Sequence, residues 1–143
     1  MKITQISVFL ENRPGRLSAL AHSLATAGVN LSTLMLSDNG EFGLLRLLTP
    51  DVDKAKATIA AAGYAATTTE VVALQVPDRP GGLAGVLVLL EKAGVSVEYM
   101  YAFAERPGSD AVMVFRFDNP DKALAALQSA GVPVFNPVDL FKA

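Results

Sequence analysis

Asn12-Arg13-Pro14-Gly15-Arg16-Leu17 and Asp78-Arg79-Pro80-Gly81-Gly82-Leu83 are one motif written twice. The two Arg-Pro-Gly tripeptides stand 66 residues apart (13 to 79). A strand-like run precedes each, Ile3–Leu10 and Val71–Val76, and a leucine-spaced run follows each. Farther on, Gly28-Val29-Asn30-Leu31 answers to Gly94-Val95-Ser96-Val97 at the same offset. A fixed period of this length marks a duplicated structural unit, so the 143 residues reduce to one fold of about 70 residues read twice.

Working outward from the first turn, Ile6, Val8 and Leu10 alternate as a half-buried strand does. Leu17, Leu20, Ala21 and Leu24 recur at helical spacing, which predicts one inward helix face. Pro14 suits a first helical turn, and Gly28 suits the position just past the helix end. A strand over 29–37 and the hairpin signal Asp38-Asn39-Gly40 come next, then a partner strand over 42–48. A second helix with Val52, Ala55, Ile59 and Ala62 inward ends at Gly63, and Tyr64–Thr68 reads as a closing strand. The second copy predicts the same order. Its helix turns Leu83, Val86, Leu87 and Leu90 inward, its hairpin turns at Arg106–Ser109, and its last helix carries Ala123, Leu124 and Leu127. The order β-α-β-β-α-β with antiparallel pairing is ferredoxin-like and α+β. The expected domains are 1–69 and 70–143, packed side by side because no Pro/Gly/Ser linker separates them.

Composition narrows the function. Twelve basic against 14 acidic residues leave a net charge of −2, with no electrostatic footprint for nucleic acid or an anionic membrane. With no cysteine, disulfides, thiolate catalysis and Cys-ligated metals are excluded. The single histidine, His22, has no second partner for a catalytic set, and no cluster has metal-ligand spacing. Asp51 with Asp53, and Asp118 with Asp121, sit at helix starts, where they complement the helix dipole. Pro80-Gly81-Gly82 is too short for a phosphate loop. No apolar run reaches the roughly 20 residues that span a bilayer, and the first residues lack a signal-peptide pattern. The expectation is a cytoplasmic protein that is not an enzyme, with no catalytic residue, metal or cofactor.

At a strand-to-helix turn the first helical N–H groups lack internal partners and carry partial positive charge, which suits a carboxylate. Gly15 and Gly81 would let a ligand approach the backbone, while Asn12 and Asp78 stand ready as acceptors. Asn30 and Ser96, each read as opening a second strand beside the same turn, add a further polar group. The plainer reading is that Pro-Gly only starts a helix.

The pattern strand–Asn/Asp-Arg-Pro-Gly-x-Leu–helix–Gly-Val-Asn/Ser–strand resembles the ACT domain, the small-molecule-binding regulatory module of amino-acid metabolism. The likeness covers essentially the whole chain as two tandem copies. It implies a stand-alone regulator, a free amino acid as ligand, a homodimer, and a metabolic enzyme as target. It also implies ligand contacts where two units meet: Asn12, Arg13, Pro14, Gly15, Arg16, Leu17, Asn30 and Leu31 from the first copy. From the second copy come Asp78, Arg79, Pro80, Gly81, Gly82, Leu83, Ser96 and Val97. Competing readings are an interaction module without ligand and an RNA-binding sheet using Tyr99, Tyr101 and Phe103, against which the acidic balance stands. A small hydrolase anchoring an anion at Arg46 and Arg116 has no nucleophile or base to go with them.

Overall fold

The computed structural model describes residues 1–38, 40–104 and 110–142. The turn Arg106–Ser109 and the middle residue of Asp38-Asn39-Gly40 lie outside the described residues. The chain divides into two compact units, one of Thr4–Thr69 and one of Met1–Ile3 with Glu70–Ala143. Each is an α+β unit of the β-α-β-β-α-β kind.

In the first unit the order is β1 (Ile3–Glu11), α1 (Arg16–Thr26), β2 (Thr33–Asp38), β3 (Phe42–Leu48) and α2 (Val52–Ala61), closed by the start of β4 (Ala66–Val76). The sheet order is β2-β3-β1-β4, with β3 antiparallel to both β1 and β2. Ile6, Val8 and Leu10 share a face with Leu45 and Leu47, and Leu20, Leu24, Ala55 and Ile59 of the helices close over it. Each large aliphatic side chain so buried contributes roughly 1.5–3 kcal/mol. The helix stripe is narrower than its spacing predicts: Leu17 and Ala21 are exposed, and Leu20 and Leu24 carry the contact.

The second unit repeats this with the rest of β4, α3 (Gly82–Lys92), β5 (Val97–Ala104), β6 (Ala111–Phe117), α4 (Pro120–Ser129) and β7 (Val134–Phe135). Its sheet order is β5-β6-β4-β7. Val72, Leu74 and Val76 pack with Phe115 and Phe117 against Val86, Leu90, Ala123 and Leu127. The rings of Phe115 and Phe117 stack with centroids 5.4 Å apart. A short α5 (Pro137–Leu140) follows, its Asn136 cap accepting from the Asp139 N–H at 2.8 Å. Nothing in the repeat foretold it. Arg116, read from sequence as an anion anchor, is engaged within the unit. It pairs with Glu98 at 3.2 Å and donates to the Glu70 carbonyl at 2.9 Å.

Two strands foreseen over 64–68 and 71–76 are one 11-residue strand, β4. Thr67-Thr68-Thr69-Glu70-Val71-Val72 contains no glycine or proline and is rich in β-branched residues, so nothing interrupts the extended backbone. Met1–Ile3 also depart from the expected division. Lys2 is tied into the second unit by ion pairs to Asp121 at 2.9 Å and Glu70 at 3.2 Å.

Candidate functional site

Both Arg-Pro-Gly segments form the same turn, and it comes before the helix. Pro14 occupies the second turn position and Gly15 the third, with φ 87° and ψ −13°. The Arg16 N–H closes the turn on the Arg13 carbonyl at 3.3 Å. In the second copy Gly81 has φ 85° and ψ −7°, and the Gly82 N–H reaches the Arg79 carbonyl at 2.9 Å. These are type II turns, whose third position needs the positive φ that glycine alone adopts freely. The helices begin at Arg16 and Gly82, so each proline shapes the turn and does not fill the first helical position that its sequence context suggested. Just upstream, the Arg13 N–H bonds the Glu11 carbonyl at 2.9 Å and the Arg79 N–H bonds that of Pro77 at 3.0 Å, which bends the chain at Asn12 and Asp78. The N-cap glycines offer no side-chain acceptor, so beyond the turn-closing N–H groups of Arg16 and Gly82 the next amides of α1 and α3 have no side-chain cap.

The two turns differ in what surrounds them. In the first, Asn12 donates its side-chain amide to the Gly40 carbonyl at 3.1 Å, while its backbone N–H bonds the Glu41 carbonyl at 2.8 Å. Asn12 thereby latches the turn to the β2–β3 hairpin. Glu11 pairs with Arg13 and, at 3.6 Å, with Arg16. Both arginines of the first motif are thus held by one carboxylate.

In the second copy Pro77 stands in the place of Glu11, and Arg79 forms no ion pair among the described residues. Instead it borders a cavity of about 330 Å³ within this unit. One wall is the glycine-rich start of α3: Gly81, Gly82 and Gly85. The floor is apolar, with Val86, Leu89, Val132 and Pro133. Opposite stand Gln75 of β4 and Asp110, the Gln75 amide donating to the Asp110 carboxylate at 2.6 Å. The register shows what the first unit has there. Phe9 lies opposite Leu44 as Gln75 lies opposite Val112, so Phe9 and Phe42 occupy the places of Gln75 and Asp110. Both phenylalanines are about half exposed. One copy carries a polar, charged pair beside its turn; the other carries two aromatic rings.

A family model described as an ACT domain pair matches residues 1–135. The chain belongs to that family. Protein BT0572 from Bacteroides thetaiotaomicron is 39% identical, with a TM-score of 0.93 over 100% of this chain and 98% of that one. The regulatory subunit of aspartate kinase from Thermus flavus is 16% identical with a TM-score of 0.62, covering 90% and 92% of the two chains. Aspartokinase alpha and beta subunits give 13% and 0.56, over 90% and 91%. At these lower identities the likeness is one of fold. No curated protein sequence matches the chain.

Within this ACT pair, the motif residues fall into two groups. Arg79, Gly81 and Gly82 line the cavity, and Asp78 and Pro80 are exposed beside them. Leu83 packs against the core of the second unit, as Leu31 does in the first. Asn30, Leu31 and Ser96 precede their strands, and Val97 begins one. The reading that Asn30 and Ser96 lie beside their own turns is wrong. Leu34 is level with Ile6, whereas Asp38 is level with Leu10. The start of β2, Thr33, is level with Gln5 and therefore lies toward the opposite end of the sheet from Asn12, seven residues (5 to 12) or roughly 23 Å away along the strand. The same register sets Ser96 at the Phe117 end of its unit, where Asp118 accepts its N–H at 2.9 Å. A helix leaving the top of a strand returns the chain to the bottom. Gln75, Asp110 and Val132 were missed because no spacing links them. Gly85, which breaks an otherwise aliphatic helix, was the visible signal. Among the described residues there is no cluster of metal-binding side chains and no helix long and apolar enough to cross a membrane.

Proposed function

We propose that this ACT pair is a non-catalytic regulator that binds a free amino acid in its second unit. The observation that carries this is the cavity bordered by Arg79 and Asp110, opposite charges at the mouth of a space of about 330 Å³. Ligand pockets run from roughly 300 to 1,000 Å³, so this one suits a small molecule. A zwitterion answers both charges: its carboxylate meets Arg79 and the uncapped amides of Leu83 and Ala84, and its ammonium group meets Asp110. In the first unit, with Arg13 and Arg16 held by Glu11 and Asn12 held by the hairpin, the turn has a structural role.

The reading extends to a cytoplasmic homodimer acting on an enzyme of amino-acid metabolism, since the aspartate kinase regulatory subunit from Thermus flavus shares the fold. Asn30, Leu31, Ser96 and Val97 enter such a site when a neighbouring unit brings them to a turn, which a second copy of the chain would do. Thermal-shift and calorimetric titration against the twenty amino acids tests the binding. A ligand at a hundred times its Kd adds about 2.7 kcal/mol of stability, and Arg79→Ala abolishes the shift. No shift and no heat from any amino acid overturns the reading in favour of an interaction module without ligand.

A further inference from the structure

Resting on that reading, we propose that the ligand is an aliphatic α-amino acid, its side chain seated against Gly85 and the apolar floor of the second unit's cavity. Among the described residues, Arg79 and Asp110 are the charged ones lining this space, and both are exposed. They match the two charges every free amino acid carries. Gln75 is already engaged, its amide donating to Asp110 at 2.6 Å. Beside them, Val86 is 6% exposed, Leu89 and Val132 are half-buried, and the exposed Pro133 completes an apolar surface. Among the described residues, no hydroxyl, amide or charged side chain belongs to that apolar group. A ligand side chain bearing a polar group would be partly desolvated against this surface with no partner among the described residues, which disfavours it relative to an aliphatic one.

Gly85 leaves room on the α3 side of the cavity. It stands in the middle of α3, where glycine disfavours the helix by about 1 kcal/mol relative to alanine. Unlike Gly81, it is not at a positive φ, and a Cβ built on it meets no atom within 4 Å. The backbone therefore does not require glycine here, and the space is left open into the cavity. A methyl or longer group at 85 would occupy the place of the ligand side chain and leave the fold intact.

The experiment is calorimetric titration of the full chain with glycine, alanine, valine, leucine and isoleucine, set against serine, lysine, glutamate and phenylalanine. It is repeated on Gly85→Ala and Gly85→Leu, with thermal melts confirming that both variants are folded. The expected result is selective binding of valine, leucine or isoleucine. In Gly85→Leu their affinity falls at least tenfold, while in Gly85→Ala the preference moves toward the smaller side chain. Binding of a charged or polar amino acid in place of the aliphatic ones overturns the proposal and leaves the regulatory reading standing. Aliphatic binding unchanged in Gly85→Leu also overturns it, because the side chain then sits elsewhere. Silence from every amino acid removes the reading beneath it as well.

Discussion

Gly82 passes so close beneath Pro77 that a Cβ on Gly82 would stand 1.9 Å from the Pro77 carbonyl oxygen. The obstacle is backbone, which cannot swing aside as a flexible side chain does. Gly82→Ala is expected to destabilise the protein by about 1–3 kcal/mol, in the range of an overpacked core. Arg16 holds the corresponding place in the first unit and already carries a side chain, so Arg16→Ala there should stay within about 0.5 kcal/mol. Urea denaturation of the two variants makes the comparison, and equal midpoints would show that the close approach is not a constraint.

Gly15 and Gly81 raise a different issue, since a Cβ at either meets nothing within 4 Å. What an alanine meets there is conformational: φ near +87° and +85° costs an L-residue about 1–2 kcal/mol. Gly15→Ala and Gly81→Ala should each lose about that much, and Gly15→Asn less, because asparagine tolerates the left-handed region. Thermal melts of the three variants are sufficient.

Asn12 joins a turn to a hairpin through one side-chain hydrogen bond to Gly40. Asn12→Ala should cost about 0.5–1.5 kcal/mol. Asn12→Asp should be no better, although Asp78 holds that position in the second copy, because a carboxylate cannot donate to the Gly40 carbonyl. Hydrogen exchange at Glu41 and Phe42 reports the loosened hairpin. If both variants exchange like the parent, the latch is not holding it.

Lys2 is held by two carboxylates. Its hydrogen bond to Asp121, and then that to Glu70, raise its pKa above the ordinary 10.5. A cation favoured by the folded state stabilises it while the pH is below 10.5, and that contribution fades as the pH climbs through the raised folded value. Melting temperatures followed upward from roughly pH 9 should fall less steeply for Lys2→Met than for the parent through the lysine range. Parallel curves would show that the ion pairs do not stabilise the folded state.

The repeat made the fold legible, because Arg-Pro-Gly and Gly-Val recurring at one offset fix where each unit turns. Periodicity also located Leu20, Leu24, Val86 and Leu90 in the cores. Register was another matter. Asn30 follows Gly28 closely in sequence, yet an 11-residue helix carries the chain about 16 Å back along the sheet before β2 begins. The continuity of β4 was hidden for the opposite reason, since a repeat invites a boundary where the backbone has none. The candidate site was least legible of all. Gln75 and Asp110 meet across 35 positions of sequence, and only the β4–β6 pairing brings them together.

The attachment of Met1–Ile3 to the second unit bears on how the protein is made. Synthesis runs from the N-terminus, so Thr4–Thr69 can close on itself while the rest is still being added. The first three residues must wait. Lys2 finds Asp121, and Met1 accepts a hydrogen bond from Gln128 127 positions away, only when α4 has emerged. Residues translated ahead of the first unit thus dock after it, and their docking depends on the unit that carries the cavity.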